Sequence, residues 1–151
     1  MTARMDYNAA TPAGVKALAG VYGHIAQSGL PKTLVDLVYL RISQINGCAY
    51  CIDMHSGELL KEGVTLAKLV LVPVWREAGS LFDGQERAAL AWAETVTRVA
   101  ETGVPDADYE AAAAAFDAKQ LADLTIAIGL MNAYNRLAIS FRATPAAAKA
   151  H

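Results

Sequence analysis

Apolar residues recur at helical spacing along most of the chain, between signals that begin and end helices. Thr11-Pro12 has the form of a helix start, and the helix that follows is predicted to end at Gly29. Pro31 begins a second helix, whose end is marked by Asn46-Gly47. No long stretch alternates between apolar and polar residues as a half-buried strand would. The pattern therefore predicts an all-α bundle of six or seven helices.

Two segments in the second half have the form of capping boxes, with Asp as the N-cap residue. Asp83-x-x-Glu86 is expected to begin a long helix that reaches Gly103. Asp117-x-x-Gln120 is expected to begin the last helix, about residues 118–142, which is apolar over much of its circumference. A third helix is expected to end near Gly63, and Thr65 is expected to cap a short apolar segment, Leu66 to Val72, that is broken at Pro73. Pro105 is expected to start a helix from Asp106 to Phe116. The remaining expectations are a loosely held segment at 1–10, an irregular connection at 75–82 and Trp75 in the core.

Length and composition narrow the class of protein. At 151 residues the chain is expected to form one domain, residues 1–151. Its hydrophobic fraction of 54% exceeds the ~45–50% usual for globular domains, which favours buried interfaces between subunits. The net charge is −2 and no dense Lys/Arg cluster occurs, so the composition argues against nucleic-acid binding.

The sequence also carries an expectation about location. No apolar run follows Arg4, so no secretory signal is predicted. The most apolar region, residues 121–141, is interrupted by polar residues such as Asp123 and Arg136, and no membrane span is predicted there. We therefore expect a cytoplasmic protein, in whose reducing surroundings paired cysteines more often serve catalysis, sensing or metal binding than a structural disulfide.

Both cysteines of the chain lie in one motif, Cys48-Ala-Tyr-Cys51, with His55 four residues further on. If Asn46-Gly47 ends one helix and the cysteines begin the next, the thiols lie near unpaired N–H groups and the positive end of the helix dipole. Both effects favour the thiolate, which is the nucleophilic form of cysteine. Residues four apart share a helix face, so Cys51 and His55 are expected to be neighbours. The motif therefore predicts dithiol redox chemistry, with Cys48 able to turn a sulfenic acid on Cys51 into a disulfide.

Other interpretations of the motif remain open. A structural zinc site needs four ligands, and Cys48, Cys51 and His55 provide three at most. Covalent haem attachment requires a histidine directly after the second cysteine, where the chain has Ile52. Two buried and inert thiols beside a core histidine are the third alternative, since free cysteine is often buried.

Two further polar residues lie on the predicted helices. His24 lies beside the apolar stripe of the first long helix, and we expect it to be solvated or hydrogen-bonded. Asp36 lies among apolar neighbours in the middle of the second helix, where helix propensity does not favour aspartate. By its residue type alone, Asp36 is expected to be a solvated charge.

Residues 30–55 resemble the core of the AhpD-like alkylhydroperoxidases, within the wider carboxymuconolactone decarboxylase family. The resemblance is carried by Ser43-Gln-Ile-Asn-Gly-Cys48-Ala-Tyr-Cys51-x₃-His55. It extends more loosely to Glu86-Arg-Ala-Ala-Leu90 and to Asn132-Ala-Tyr-Asn-Arg136. It implies an all-helical protein that assembles into trimers or hexamers and reduces organic hydroperoxides by a peroxiredoxin-type activity.

The resemblance also implies a role for each site residue. Cys51 would attack the peroxide, Cys48 would resolve the oxidised sulfur, and His55 would belong to a proton relay. The place of the family's glutamate in that relay is held by Asp36, which is one methylene shorter, so its contact with His55 or the thiols is expected to run through a water. Tyr50 stands between the cysteines where well-known members have a histidine. The decarboxylase branch of the family lacks the cysteine pair, which argues against decarboxylation.

The leading functional hypothesis is thus a thiol peroxidase that needs no metal or organic cofactor. Its partners would be an organic hydroperoxide and an external dithiol or protein reductant. The alternatives are a redox sensor whose disulfide switches an oligomer interface, a general disulfide oxidoreductase acting on proteins, and an inert structural oligomer.

Overall fold

The computed structural model describes residues 2–149, and that part of the chain is all-helical, as predicted. Seven α-helices are longer than one turn, and two helices of four residues accompany them. Three short 3₁₀ turns complete the secondary structure, at Val72–Glu77, Gly79–Leu81 and Ala147–Lys149. In chain order the α-helices are α1 (Tyr7–Ala10), α2 (Pro12–Ala26), α3 (Lys32–Asn46), α4 (Ala49–Lys61), α5 (Leu66–Leu71), α6 (Gly84–Thr97), α7 (Val99–Thr102), α8 (Asp106–Ala115) and α9 (Ala118–Phe141).

The two four-residue helices are differences from the sequence prediction. The lead-in segment contains α1 because the Asp6 carboxylate caps the N–H groups of Asn8 and Ala9. Contacts with the end of α9 hold this segment, since the N–H of Arg4 donates to the carbonyl of Phe141 and the Tyr7 ring packs on the Phe141 ring. Local sequence does not reveal such long-range contacts.

The helix predicted from Asp83 to Gly103 is divided into α6 and α7. The capping box itself is present, with Asp83 and Glu86 bonding each other's backbone N–H groups. The chain leaves helical geometry at Arg98. Beyond this break the hydroxyl of Thr102 donates to the carbonyl of Thr95 at 2.8 Å.

Helix α3 is the centre of the molecule, because it packs against α4, α6 and α9. Buried side chains occur on nearly every side of it, in a run from Leu34 to Leu40 followed by Ile42 and Ser43. One apolar cluster joins α3 to α2, α6, α8 and α9. A second joins it to α4, α5, α6 and the 3₁₀ segment, in which Trp75 is a core residue as predicted.

A buried carboxylate, Glu94 on α6, fastens the 3₁₀ segment to this core. It accepts hydrogen bonds from Arg41 of α3 at 2.7 Å, from the Trp75 indole at 3.0 Å and from Arg76 at 2.5 Å. Burial opposes its ionisation, but these three donors outweigh burial and hold the pKa of Glu94 below its usual value. The irregular stretch after α5 is therefore firmly attached.

No helix within residues 2–149 combines the length and the hydrophobicity that a membrane crossing requires. Helix α9 is long enough, but the polar residues noted in the sequence interrupt its apolar surface.

Candidate active site

The cysteine motif begins a helix directly after a sharp turn. Gly47 adopts the left-handed conformation, with φ of 72°, and ends α3. The N–H of Cys48 then returns to the carbonyl of Ser43 at 2.9 Å. Cys48 is the N-cap residue of α4, and its sulfur accepts the backbone N–H of Cys51 at 3.4 Å. The predicted arrangement, with one helix ending and the motif beginning the next, is confirmed.

Both thiols are free and buried, with exposed fractions of 1% for Cys48 and 2% for Cys51. The pKa of Cys48 is lowered to about 7, because the Cys51 thiol and backbone N–H donate to its sulfur more strongly than burial opposes ionisation. The pKa of Cys51 is raised, because its proton is held by Cys48 and its sulfur is buried. The first proton to leave the pair therefore leaves the charge on Cys48.

His55 lies one turn after Cys51 on α4 and is 3% exposed. Its Nδ1 lies 3.5 Å from the Oδ1 of Asp36, and neither ring nitrogen has a hydrogen-bond partner among the described residues. The ring packs against that of Tyr39, with 5.2 Å between the centroids. A buried imidazole with both nitrogens unoccupied can take and release a proton.

Asp36 is buried rather than solvated, with an exposed fraction of 3%. Its Oδ2 accepts from the ammonium of Lys32 at 2.5 Å, and Glu62 at the end of α4 binds the same ammonium. Burial opposes ionisation of Asp36, but the contacts with His55 and Lys32 outweigh it, so its pKa is lowered. The expectation of a solvated charge from residue type alone was wrong, because α3 is central and Lys32 neutralises the buried carboxylate.

A cavity of about 480 Å³ gives access to this group, and we call it the Cys51 cavity. Its wall contains Cys51, His55 and Asp36, so the structure brings together three of the four residues predicted for the site. Cys48 lies behind Cys51 and does not contribute to the wall. Four aromatic rings from α1, α2, α4 and α9 form much of the remaining wall, Tyr7, Tyr22, Tyr50 and Tyr134.

A buried amide next to the thiols was not predicted from the sequence. Asn135 of α9 is fully buried, donates to the hydroxyl of Ser43 at 3.0 Å and accepts from Asn46 at 2.9 Å. It approaches both sulfurs and contributes to the lowered pKa of Cys48. The sequence feature that could have indicated this amide is the pair Asn132 and Asn135, at helical spacing within a largely apolar helix. Amides that become buried in such a helix need hydrogen-bond partners.

His24, the other histidine considered in the sequence, lies outside the Cys51 cavity. His24 is half-exposed and bonds the Asp123 carboxylate at 2.9 Å, as the sequence predicted. Within residues 2–149, no three His, Cys, Asp or Glu side chains are grouped so that they could hold a metal ion.

The chain was also compared with known protein families. Residues 12–95, which include all four site residues, match the carboxymuconolactone decarboxylase family model. The chain belongs to the carboxymuconolactone decarboxylase family. This family membership agrees with the all-helical fold and with the resemblance carried by the cysteine motif.

Individual members of the family are similar over most of the chain. YdfG of Bacillus subtilis is 33% identical over 140 residues, covering 93% of this chain and 95% of YdfG. ATU0492 of Agrobacterium tumefaciens, a protein of unknown function, has a crystal structure that matches with a TM-score of 0.91 and 39% identity. That match covers 95% of this chain and 98% of ATU0492.

A shorter similarity concerns an enzyme. The alkyl hydroperoxide reductase AhpD of Methylocella silvestris is 49% identical over 43 residues. These residues make up 28% of this chain and 24% of that reductase. The similarity is therefore local, and it supports an AhpD-like protein without covering the whole enzyme.

The opposite pKa shifts of Cys48 and Cys51 predict how the thiolate content of the reduced protein depends on pH. Thiolate absorbance of the reduced protein should titrate with a midpoint of about pH 7. In Cys51→Ala, Cys48 loses its main donor, so the midpoint should rise towards the ~8.5 of an ordinary thiol. Cys48→Ala is the matched control, in which Cys51 loses the main cause of its raised pKa and should titrate at lower pH than in the wild type. An unchanged midpoint in Cys51→Ala would contradict the assignment of the lowered pKa to Cys48.

Proposed function

We propose that this protein is a thiol-dependent peroxidase that reduces organic hydroperoxides through a disulfide cycle between Cys48 and Cys51. The observation that carries the proposal is that Cys51 and His55 share the wall of one cavity, which also contains four tyrosines. The sulfur of Cys48 accepts the backbone N–H of Cys51, in the first turn of α4. A volume of about 480 Å³ lies in the range of sites for small organic molecules.

In the first step His55 takes the proton of the Cys51 thiol, and the thiolate attacks the distal oxygen of a hydroperoxide in the Cys51 cavity. The sulfur–oxygen bond forms as the oxygen–oxygen bond breaks, and the electron pair leaves on the alkoxide. The proton of the Cys51 thiol passes through His55 to this alkoxide, which departs as an alcohol. Cys51 is thereby oxidised to a sulfenic acid.

In the second step Cys48 resolves the sulfenic acid. Its lowered pKa supports this role, because Cys48 is already a thiolate near neutral pH. The Cys48 sulfur attacks the sulfur of Cys51, a disulfide forms, and hydroxide leaves and is protonated to water. An external thiol then restores both cysteines.

Asp36 and Lys32 act on this cycle through His55. The carboxylate of Asp36 lies 3.5 Å from Nδ1, so it favours one orientation of the ring and stabilises the charge that forms when His55 takes a proton. Lys32 holds the other carboxylate oxygen at 2.5 Å and offsets the cost of burying the charge of Asp36. Asp36 approaches His55 directly rather than the thiols, and we assign it a positioning role.

A second candidate function is general disulfide reduction or redox sensing by the same dithiol. The observation in its favour is that the lowered pKa belongs to Cys48, the first cysteine of the motif and the N-cap of α4. A nucleophile at that position suits exchange with other disulfides. The two candidates differ in whether peroxide consumption needs Cys51.

Replacing Cys51 tests the peroxidase directly. Dithiol-reduced wild type should consume cumene hydroperoxide and lose both thiols when no reductant is added, whereas Cys51→Ser should show no consumption above background. The measurements are peroxide concentration and free-thiol count, with Cys48→Ser as the control that retains the first step but cannot form the disulfide. Equal consumption by Cys51→Ser would refute the assigned roles. Loss of thiols without turnover, or faster reduction of an insulin disulfide than of peroxide, would favour the second candidate.

Asp36→Asn tests the positioning role, because it keeps the size of the side chain and removes its charge. We expect kcat/KM for the hydroperoxide to fall about ten- to a hundredfold, less than the full effect of losing an acid–base group. The activity should also depend differently on pH, since the charge that stabilises protonated His55 is gone. Glu58→Gln, which removes another carboxylate from the cavity wall, is the control and should change kcat/KM less than Asp36→Asn. Equal effects of the two variants would contradict the proposal.

We also propose that the protein is a homo-oligomer. Exposed apolar side chains occur together along α5 and the 3₁₀ segment, with exposed fractions of 65% for Leu66, 61% for Val70 and 53% for Val74. Such a patch is typical of a surface that another chain covers. Light scattering coupled to gel filtration should give a mass of several times 16.0 kDa, and Val70→Lys should lower it. A monomeric wild type would refute this proposal.

A further inference from the structure

The two thiols lie at the walls of different depressions in the protein surface. Cys51 belongs to the Cys51 cavity, whereas Cys48 lines a second depression of about 420 Å³, which we call the Cys48 groove. Among the described residues, the two linings have only Tyr50 and Ala138 in common. The cysteine pair therefore forms part of a thin wall between two separate spaces.

The Cys48 groove lies between the start of α4 and the segment that follows α9. Its lining begins at Gly47 and Cys48 and continues through small side chains of the segment after α9, including Ala143 and Ala148. Ala138, Ala143 and Tyr50 pack against the thiols and also line this groove. A reductant in the groove must therefore displace part of this cover to reach the sulfur of Cys48, which is 1% exposed.

Among the described residues, the one charged side chain in the lining of the groove is a cation. This cation is Arg142, and none of the carboxylates of the described residues forms an ion pair with it. The N-terminus of α4, which Cys48 caps, adds the positive end of a helix dipole. Asp53, on the next turn of α4, accepts the N–H of Ala147 and does not line the groove.

We propose that the Cys48 groove is the entry site of the reductant, and that the reductant is a small thiol carrying a carboxylate. The inference rests on the proposed function, because it concerns the disulfide that the peroxidase cycle leaves behind. Peroxide would reach Cys51 from one side of the wall, and the reducing thiol would reach Cys48 from the other. The carboxylate would be bound by Arg142 while the sulfur reacts.

Reduction from this side follows the geometry of thiol–disulfide exchange. The thiolate of the reductant attacks Cys48, a new sulfur–sulfur bond forms, and the Cys48–Cys51 bond breaks with its electron pair on Cys51. The pKa of Cys51 is raised by Cys48 and by burial, and the contribution of Cys48 ends once its sulfur is in a mixed disulfide. The leaving sulfur is released next to His55, which can supply its proton. A second thiol then attacks the sulfur of the reductant, releases Cys48, and leaves with the first as a disulfide.

The test measures reduction apart from peroxide chemistry. The protein is first oxidised with diamide, which makes the Cys48–Cys51 disulfide without a hydroperoxide. Thioglycolate, mercaptoethanol and cysteamine, which are anionic, neutral and cationic, are then compared as reductants, with each rate divided by the thiolate concentration. We expect thioglycolate to react fastest and cysteamine slowest, with a ratio that falls as salt is added.

Variants of groove residues test whether Arg142 causes the preference for the anionic reductant. Arg142→Gln should lower the ratio of the thioglycolate rate to the cysteamine rate by about three- to fivefold, the size expected of an exposed charge pair. Arg98→Gln is the control, because Arg98 is an exposed arginine outside the groove, and it should leave this ratio unchanged. Ile139 lines the groove and is 44% exposed, so Ile139→Glu and Ile139→Lys should move the ratio in opposite directions even if Arg142→Gln folds poorly. An unchanged ratio in Arg142→Gln and in both Ile139 variants would overturn the proposal.

Single-cysteine variants separate this proposal from the proposed function. Cys51→Ser and Cys48→Ser are each labelled with the anionic reagent dithiobis(nitrobenzoate) and with neutral dithiodipyridine. The preference for the anionic reagent should occur at Cys48 and disappear with Arg142→Gln. A preference at Cys51 alone would place reductant entry in the Cys51 cavity and overturn the proposal. Failure of diamide to form the disulfide would overturn both proposals, whereas absent peroxide turnover with an intact charge preference would overturn only the peroxidase.

Discussion

The left-handed turn at Gly47 determines where both thiols lie. Because α3 ends there and α4 begins at Ala49, Cys48 becomes the N-cap of α4 and Cys51 lies in its first turn. A residue with a side chain would be strained at a φ of 72°, which explains why glycine occupies this position. The turn also separates the roles of two chemically identical residues. One sulfur accepts hydrogen bonds from the helix start, while the other faces the cavity and donates its proton.

Two buried carboxylates show the difference between a structural and a reactive environment in this protein. Glu94 is saturated by Arg41, Trp75 and Arg76, and its contacts connect secondary structure elements. Asp36 is held on one side by Lys32, but on the other it faces His55 at 3.5 Å, and neither ring nitrogen of His55 has a hydrogen-bond partner within residues 2–149. Buried polar atoms without partners are rare in folded proteins, and they are concentrated where a ligand or proton is handled. This contrast singles out the Asp36 and His55 pair.

The wall of the Cys51 cavity is assembled from distant parts of the chain. Tyr7 is delivered by α1, which depends on the contact of Tyr7 with Phe141 at the end of α9. Asn135, on the same helix as Tyr134, bonds Ser43 and approaches both sulfurs. Helix α9 therefore shapes the substrate side of the site and also fixes the polar surroundings of the thiols, although it contributes neither cysteine.

The sequence by itself determined the all-helical architecture, most helix boundaries and the local geometry of the motif. These features depend on spacing, capping residues and a glycine turn, which act over a few residues. The pairing of Cys51 with His55 on one side of α4 follows from the same short-range periodicity. The helix that was expected to run unbroken to Gly103 is divided at Arg98, a deviation that no local stop signal revealed.

The tertiary structure alone decided which polar residues are buried and what they contact. Asp36 has the residue type of a solvated charge, and only the central position of α3 removes it from water. The assignment of the lowered pKa to Cys48 likewise depends on hydrogen bonds from Cys51 and on Asn135 of a different helix. Burial and electrostatics are sums over neighbours far apart in the chain, and for this reason no local pattern contains them.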